Sequence, residues 1–158
     1  MIDTRLNFKQ QAEHVKTKAS GVRSTLSRLM PNIGGPKQRR RALLSSVTTS
    51  VLTSAIPIWG DVLRLQEARR KIAPIYRLSA LRVASAFRTV SEDAVCVIAG
   101  LLPIQVLAEE RGSLYKRKRA LASEMISTEE LTSEERRNSL NRWQEKWKNS
   151  TKGRSSIV

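Results

Sequence analysis

Few residues in this chain could carry chemistry, and their spacing argues against it. Three aspartates occur, Asp3, Asp61 and Asp93, far apart and never as an Asp-Asp pair. Metal-assisted phosphoryl or nucleotidyl transfer needs clustered carboxylates that hold two ions about 4 Å apart. The paired glutamates Glu109-Glu110, Glu129-Glu130 and Glu134-Glu135 fall on or at the starts of helical segments, where ion pairs and the helix dipole account for them. His14 is the single histidine and falls on the flank of an apolar stripe, which leaves out triads and histidine-rich metal sites. Cys96 is the single cysteine, so neither an internal disulfide nor a cysteine-based zinc site can form. It stands in the apolar run 94–102 and reads as a small buried hydrophobe. Gly34-Gly35-Pro36-Lys37 lacks the spaced glycine and the Lys-Ser/Thr ending of a phosphate loop, and reads as a turn. No catalytic, metal or cofactor site can be assembled from these residues, so the chain as it stands is expected not to be an enzyme.

Charge is the stronger signal. The 158 residues hold 29 Lys and Arg against 14 Asp and Glu, a formal charge of +15. Small soluble domains usually sit at a magnitude of roughly 2–8, so this excess points to a polyanionic partner. The cations are also arranged. At about 100° per residue, Arg70, Arg77 and Arg88 fall within roughly 20° of one another, opposite Ile72, Ile75, Val83, Ala86 and Phe87. That arithmetic assumes an unbroken helix, and Pro74 makes Arg70 the least secure member. Arg82 lies on the same segment, and Arg39-Arg40-Arg41 and Lys116-Arg117-Lys118-Arg119 form two further clusters. Such residues would position a sugar–phosphate backbone without reading bases. The competing reading of each cluster is a plain solvated face.

The elements that must position these residues are helical throughout. Ala12, Val15, Ala19, Val22, Leu26 and Leu29 recur at steps of three and four along a helix over 8–30. Two prolines and two glycines in 31–36 break it. A second helix over 37–56 places Leu44, Val47, Val51 and Ala55 inward, closed by Pro57 and Gly60. The uncharged stretch 42–60 is about long enough to span a bilayer, but it holds seven Ser or Thr and keeps its apolar residues to one face. It reads as a core helix. A third helix covers 62–88, kinked or split at Pro74. Thr89 with Glu92, or Ser91 as N-cap, starts a short helix ending at Gly100. Pro103 opens the next, with the stripe Ile104, Leu107, Ala108, Leu114, Tyr115, Leu121 and Met125. Of two capping boxes, Ser127-x-x-Glu130 and Thr132-x-x-Glu135, the second opens a helix to residue 149. This polar helix carries a narrow seam of Leu140, Trp143 and Trp147 that calls for a partner surface. The expected fold is all-α, with about six helices and a disordered tail over 150–158.

The middle of the chain then adds a resemblance. The block Tyr76-Arg77-Leu78-Ser79-Ala80-Leu81-Arg82-Val83-Ala84-Ser85-Ala86-Phe87-Arg88-Thr89-Val90-Ser91 runs on into Ala94-Val95-Cys96-Val97-Ile98-Ala99-Gly100 and Pro103-Ile104, and then into Leu107-Ala108-Glu109-Glu110-Arg111. It resembles the reverse transcriptases of arthropod non-LTR retrotransposons, the group of type-1 ribosomal-DNA elements and their relatives. Ile2-Asp3 with Leu6-Asn7-Phe8, Leu29-Met30-Pro31-Asn32-Ile33-Gly34-Gly35-Pro36, and Trp143-Gln144-Glu145-Lys146-Trp147 with Ser150-Thr151-Lys152-Gly153-Arg154 are similar to the same proteins, so the likeness covers nearly the whole chain. It implies the end of the polymerase palm over 1–8, the thumb and helical connector over 9–126, and the polar helix over 127–149. It further implies that the region cradles primer–template nucleic acid, an RNA–DNA hybrid or duplex. The aromatic-x-Asp-Asp catalytic motif and the endonuclease would precede Met1. A Cys/His zinc motif would follow Arg154, where this chain has only Ser155-Ser156-Ile157-Val158. The resemblance thus implies a fragment or degenerate copy.

Three functional expectations follow. The first is a non-catalytic, nucleic-acid-cradling piece of a reverse transcriptase. The second is a helical module whose seam docks on the missing palm and C-terminal parts of the same polyprotein. The third is a product without function. None involves a membrane, and the expected location is intracellular, nuclear or cytoplasmic.

Overall fold

The computed structural model describes residues 9–54, 66–121 and 127–149. Among them are six α-helices and no strand: α1 (Lys9–Arg28), α2 (Gln38–Thr53), α3 (Gln66–Ala84), α4 (Glu92–Ala99), α5 (Ile104–Ala120) and α6 (Thr128–Asn149). The chain is all-α, as its periodicity indicates. The expected palm end over 1–8, the expected tail over 150–158, the closing signals at Pro57 and Gly60, and the stripe members Ala55 and Met125 lie outside the described residues. No described helix is long and apolar enough to cross a membrane.

Helices α1, α2 and α3 pack pairwise into a bundle that runs up, down and up. Lys71 pairs with Glu13 at 3.0 Å, joining the starts of α1 and α3. At the opposite end, Arg41 at the start of α2 donates to the Arg82 carbonyl at the end of α3, 3.1 Å away. Helix α4 lies on α3, and Gln38 Nε2 reaches the Ile98 carbonyl at 3.1 Å. Helices α5 and α6 form an antiparallel hairpin, with Arg136 against Glu110 at 3.4 Å and Lys146 against Gln105 at 3.4 Å. Ala12, Val15, Leu52, Ile72, Ile75, Tyr76, Cys96, Leu102, Ile104, Leu107 and Trp143 share one core, which fastens the hairpin to the bundle. Each valine, leucine or isoleucine among them contributes about 1.5–3 kcal/mol when fully buried. Tyr76 donates its hydroxyl to the Leu102 carbonyl at 2.5 Å, tying the α4–α5 link to α3, and burial pushes its phenol well above the ordinary tyrosine range.

The inner face of α2 differs from the expected one. Arg41, Ser45, Thr48, Leu52 and Thr53 are buried, while Val47 is exposed and Leu44 and Val51 are half-buried. Small hydroxyl side chains face the bundle here, and those of Ser45 and Thr53 find partners. Ser45 and Ser79 share a hydrogen bond of 2.6 Å across α2 and α3, and Thr53 donates to the Thr49 carbonyl at 2.8 Å. Satisfied hydroxyls can be buried at little cost, and their size brings the helices close.

The helix ends follow the expected signals in part and differ in part. Pro74 lies inside α3 without ending it; the helix stops at Ala84, where Ser85 takes a left-handed φ of 52°. Helix α4 is capped by Ser91, whose hydroxyl accepts from Ala94 N, and closes on Gly100 at φ 67°. The first capping box opens α6, since Ser127 accepts from Glu129 N at 3.3 Å. Thr132 of the second box is already inside, its hydroxyl donating to the Thr128 carbonyl at 2.7 Å.

Candidate nucleic-acid interface

Arginine is the residue type on which the binding expectation rests, and the structure divides the candidates by what their guanidinium groups touch. Arg41 is only 4% exposed. It donates to the carbonyls of Pro36 at 2.7 Å, Pro31 at 2.6 Å, Arg82 at 3.1 Å and Met30 at 3.5 Å. The 31–36 loop is wrapped around it. Gly34 takes φ +69°, and a side chain at Gly35 would run into the Pro31 carbonyl and the Arg41 guanidinium. The prolines and glycines that read as a turn thus form a socket for an arginine, and Arg41 must be removed from the phosphate-contacting set.

Arg77 and Arg82 are also engaged internally. Arg77 Nη2 donates to the Arg88 carbonyl at 2.5 Å and the Val90 carbonyl at 2.6 Å, so it braces the link between α3 and α4. Arg82 Nη1 reaches Asn32 Oδ1 at 3.2 Å and the Met30 carbonyl at 3.5 Å. The expected stripe of Arg70, Arg77 and Arg88 does not exist as a stripe, because α3 ends before Arg88. For the same reason Phe87, expected on the core face, is 82% exposed. In the third cluster Arg117 pairs with Glu134 at 2.9 Å and Glu135 at 2.8 Å. That fork of hydrogen bonds raises the Arg117 pKa and, seen from the other side, lowers that of Glu134.

What remains outward falls at separate places on the molecule. Arg39, Arg40 and Arg88 are exposed, and their guanidinium groups have no ion-pair or hydrogen-bond partner among the described residues. The contacts of Arg41 and Arg82 bring the end of α1, the start of α2 and the end of α3 together, so Arg28, Lys37, Arg39, Arg40 and Arg88 lie at one end of the bundle. Helix α2 begins there with no acid in its first turn and no side-chain cap. Cations stand where a helix would favour an anion. Arg70 is exposed on α3 near the other end, and Lys116, Lys118 and Arg119 are exposed at the end of α5.

The chain is similar to a retrotransposon protein. The relative is a 115 kDa protein of the type-1 retrotransposable element R1DM of Drosophila melanogaster, 27% identical over 120 residues. The match takes in 75% of this chain and 12% of the relative, so the chain corresponds to a small part of that protein's length. The similarity supports an origin in a non-LTR retrotransposon. No protein-family model matches the chain, and no solved structure does.

The seam of α6 is largely satisfied within the chain. Trp143 is 8% exposed and belongs to the shared core, and Trp147 packs against that core, the two rings 5.9 Å apart and tilted by 52°. Leu140 stays 45% exposed. It lines, with Trp147, Tyr76, Leu101, Arg111 and Arg136, an open groove of about 800 Å³ between α2, the α4–α5 link and α6. Cys96 lies at its base, fully buried, its thiol pushed up to about 12 by burial and by Glu92 and Asp93. Among the described residues no three His, Cys, Asp or Glu converge as metal ligands would.

Sequence reasoning missed the structural roles of Arg41, Arg77 and Arg117. For Arg41 a signal was present: residues 41, 45, 48 and 52 follow steps of four, three and four, which is one helix face. Nothing in the local sequence separates Arg77 from Arg70.

Proposed function

We propose that this chain is the thumb and connector region of a non-LTR retrotransposon reverse transcriptase, and that it holds primer–template nucleic acid by the backbone without catalysing polymerisation itself. The observation that carries this reading is the convergence of exposed Arg28, Lys37, Arg39, Arg40 and Arg88 at one end of the bundle. An RNA–DNA hybrid or duplex offers phosphates at that density, and each one neutralised releases a counterion. Such contacts fix position and carry no sequence information.

The test is binding of a labelled RNA–DNA hybrid across a salt series. Affinity should fall steeply with salt, and Arg39→Ala, Arg40→Ala and Arg88→Ala together should reduce the log–log slope by about 2.7, or 0.9 for each phosphate contact. A flat response in the unaltered chain rejects the reading.

The groove beside Leu140 and Trp147 favours a second reading, in which it seats an apolar helix from the palm or the C-terminal part of the same polyprotein. Mixing the chain with a palm–fingers polypeptide and finding no change in the thermal transition would count against it.

A further inference from the structure

We infer that Phe87 is a stacking platform for an unpaired base, so that the basic end of the bundle prefers a strand end or a duplex bearing an overhang to uniform duplex. The inference rests on the nucleic-acid reading above and specifies which form of the ligand this end takes.

Phe87 is 82% exposed, yet the backbone that carries it is fixed. Ser85 ends α3 in a left-handed conformation, and Ala86 N bonds back to the Leu81 carbonyl at 3.0 Å. The Phe87 carbonyl accepts from Val90 N at 3.2 Å, closing a turn over 87–90. Arg77 locks that turn from inside by donating to the carbonyls of Arg88 and Val90. Ala86 and Val90 pack on the small core of Ala80, Leu81 and Val95, so both shoulders of the loop are anchored while the aromatic ring between them is left in solvent.

The surroundings select the ligand. Arg88, the next residue in the chain, is exposed, and the Arg82 contacts bring the 29–33 loop to the same end, where Ile33 is 93% exposed and Leu29 also lies open. Arg39 and Arg40 begin α2 there. The nearby acids Glu92 and Asp93 sit in the first turn of α4, where they offset that helix's dipole. An exposed aromatic ring on a surface that also carries guanidinium groups is an arrangement by which proteins hold single strands, because every base has a π-face and every nucleotide a phosphate. The interior of a duplex stacks its own bases and offers nothing to a lone phenyl ring. An unpaired base does.

The experiment uses the full chain with three labelled probes: a blunt RNA–DNA hybrid, the same hybrid with a short unpaired extension, and the single strand alone. The unaltered chain should bind the extended hybrid more tightly than the blunt one. Phe87→Ala should weaken binding to the extended hybrid and the strand by about fivefold to a hundredfold, while leaving the blunt-hybrid affinity, the salt slope and the thermal transition unchanged. Phe87→Trp should restore the preference. Equal affinities of the unaltered chain for blunt and extended hybrids, or an identical loss on all three probes in Phe87→Ala, overturns the inference and leaves the backbone-binding reading intact. No binding to any probe at low salt overturns both. Phosphatidylserine vesicles serve as a competing surface; if they bind in a Phe87-dependent way and no probe shows a Phe87 effect, the inference fails and the patch belongs to a lipid headgroup layer.

Discussion

The runs 39–41 and 116–119 are both unbroken stretches of cations on a helix, and each turns one arginine inward. Arg41 enters a socket of four carbonyls, and Arg117 meets the carboxylates of Glu134 and Glu135. Four hydrogen bonds hold the Arg41 guanidinium and two hold that of Arg117, with opposite electrostatic results. Carbonyls fill hydrogen-bonding capacity and leave the charge in place, so the end of the bundle keeps the field of Arg41 in addition to Arg39, Arg40 and Arg88. Two glutamates cancel Arg117 and exceed it by one unit, which lowers the potential that Lys116, Lys118 and Arg119 present. Formal charge per residue therefore misjudges where a polyanion is attracted. The neutral or anionic character of the inward partner decides it.

The largest effect that could break this contrast is on stability. Arg41→Ala would strand the carbonyls of Met30, Pro31, Pro36 and Arg82 around a void, and the loss is expected at about 3 kcal/mol or more. A thermal or denaturant unfolding curve measures it. Arg41→Lys should recover only part, because one ammonium cannot reach the span that the planar guanidinium covers. An Arg41→Ala chain that melts like the original would show the socket to be incidental, and the division into inward and outward arginines would lose its basis.

The next effect is on binding. Replacing Arg39, Arg40 and Arg88 removes three charges from the end whose buried arginine is uncompensated. Replacing Lys116, Lys118 and Arg119 removes three from the end whose arginine is neutralised. The first set should lower the salt slope for a hybrid by more than the second, although the charge removed is the same. Equal slopes would mean that the chain binds through its net charge alone, with no preferred end.

Much of the scaffold behind this contrast was legible in the sequence. Steps of three and four fixed α1, and the Ser91 and Gly100 signals bounded α4 because capping is local chemistry between residues a turn apart. What failed was long-range. The buried face of α2 escaped because Ser45 counts as polar until Ser79 on another helix supplies a partner. The end of α3 escaped because Ser85 takes a positive φ without the glycine that would normally announce it. That single stop moved Phe87 from the expected core face to solvent and Arg88 off the helix. The cation clusters were found as clusters, but which member turns inward depends on carbonyls and carboxylates that lie 17 or more residues away in the case of Arg117.

The smallest effect comes from acid, and it separates the two inward arginines most directly. The Glu134 carboxyl is held below its ordinary range chiefly by its hydrogen bond to Arg117, with the Arg117 charge acting in the same direction. A carboxyl with a depressed folded-state pKa contributes stability that is fully present above its unfolded value, about 4.3, and that is lost as pH falls through the folded value. Glu13 behaves alike, lowered first by Lys16 and then by Lys71. The Arg41 socket contains no group that titrates in this range, since its acceptors are carbonyls. Melting temperature should therefore decline below about pH 4.3, and Glu134→Gln should start lower and decline less steeply. Arg41→Lys should start lower and keep the full slope of the original. If Arg41→Lys flattened the acid limb as Glu134→Gln does, an ionised partner would have to stand beside Arg41, and the uncompensated charge assigned to that end of the bundle would be wrong.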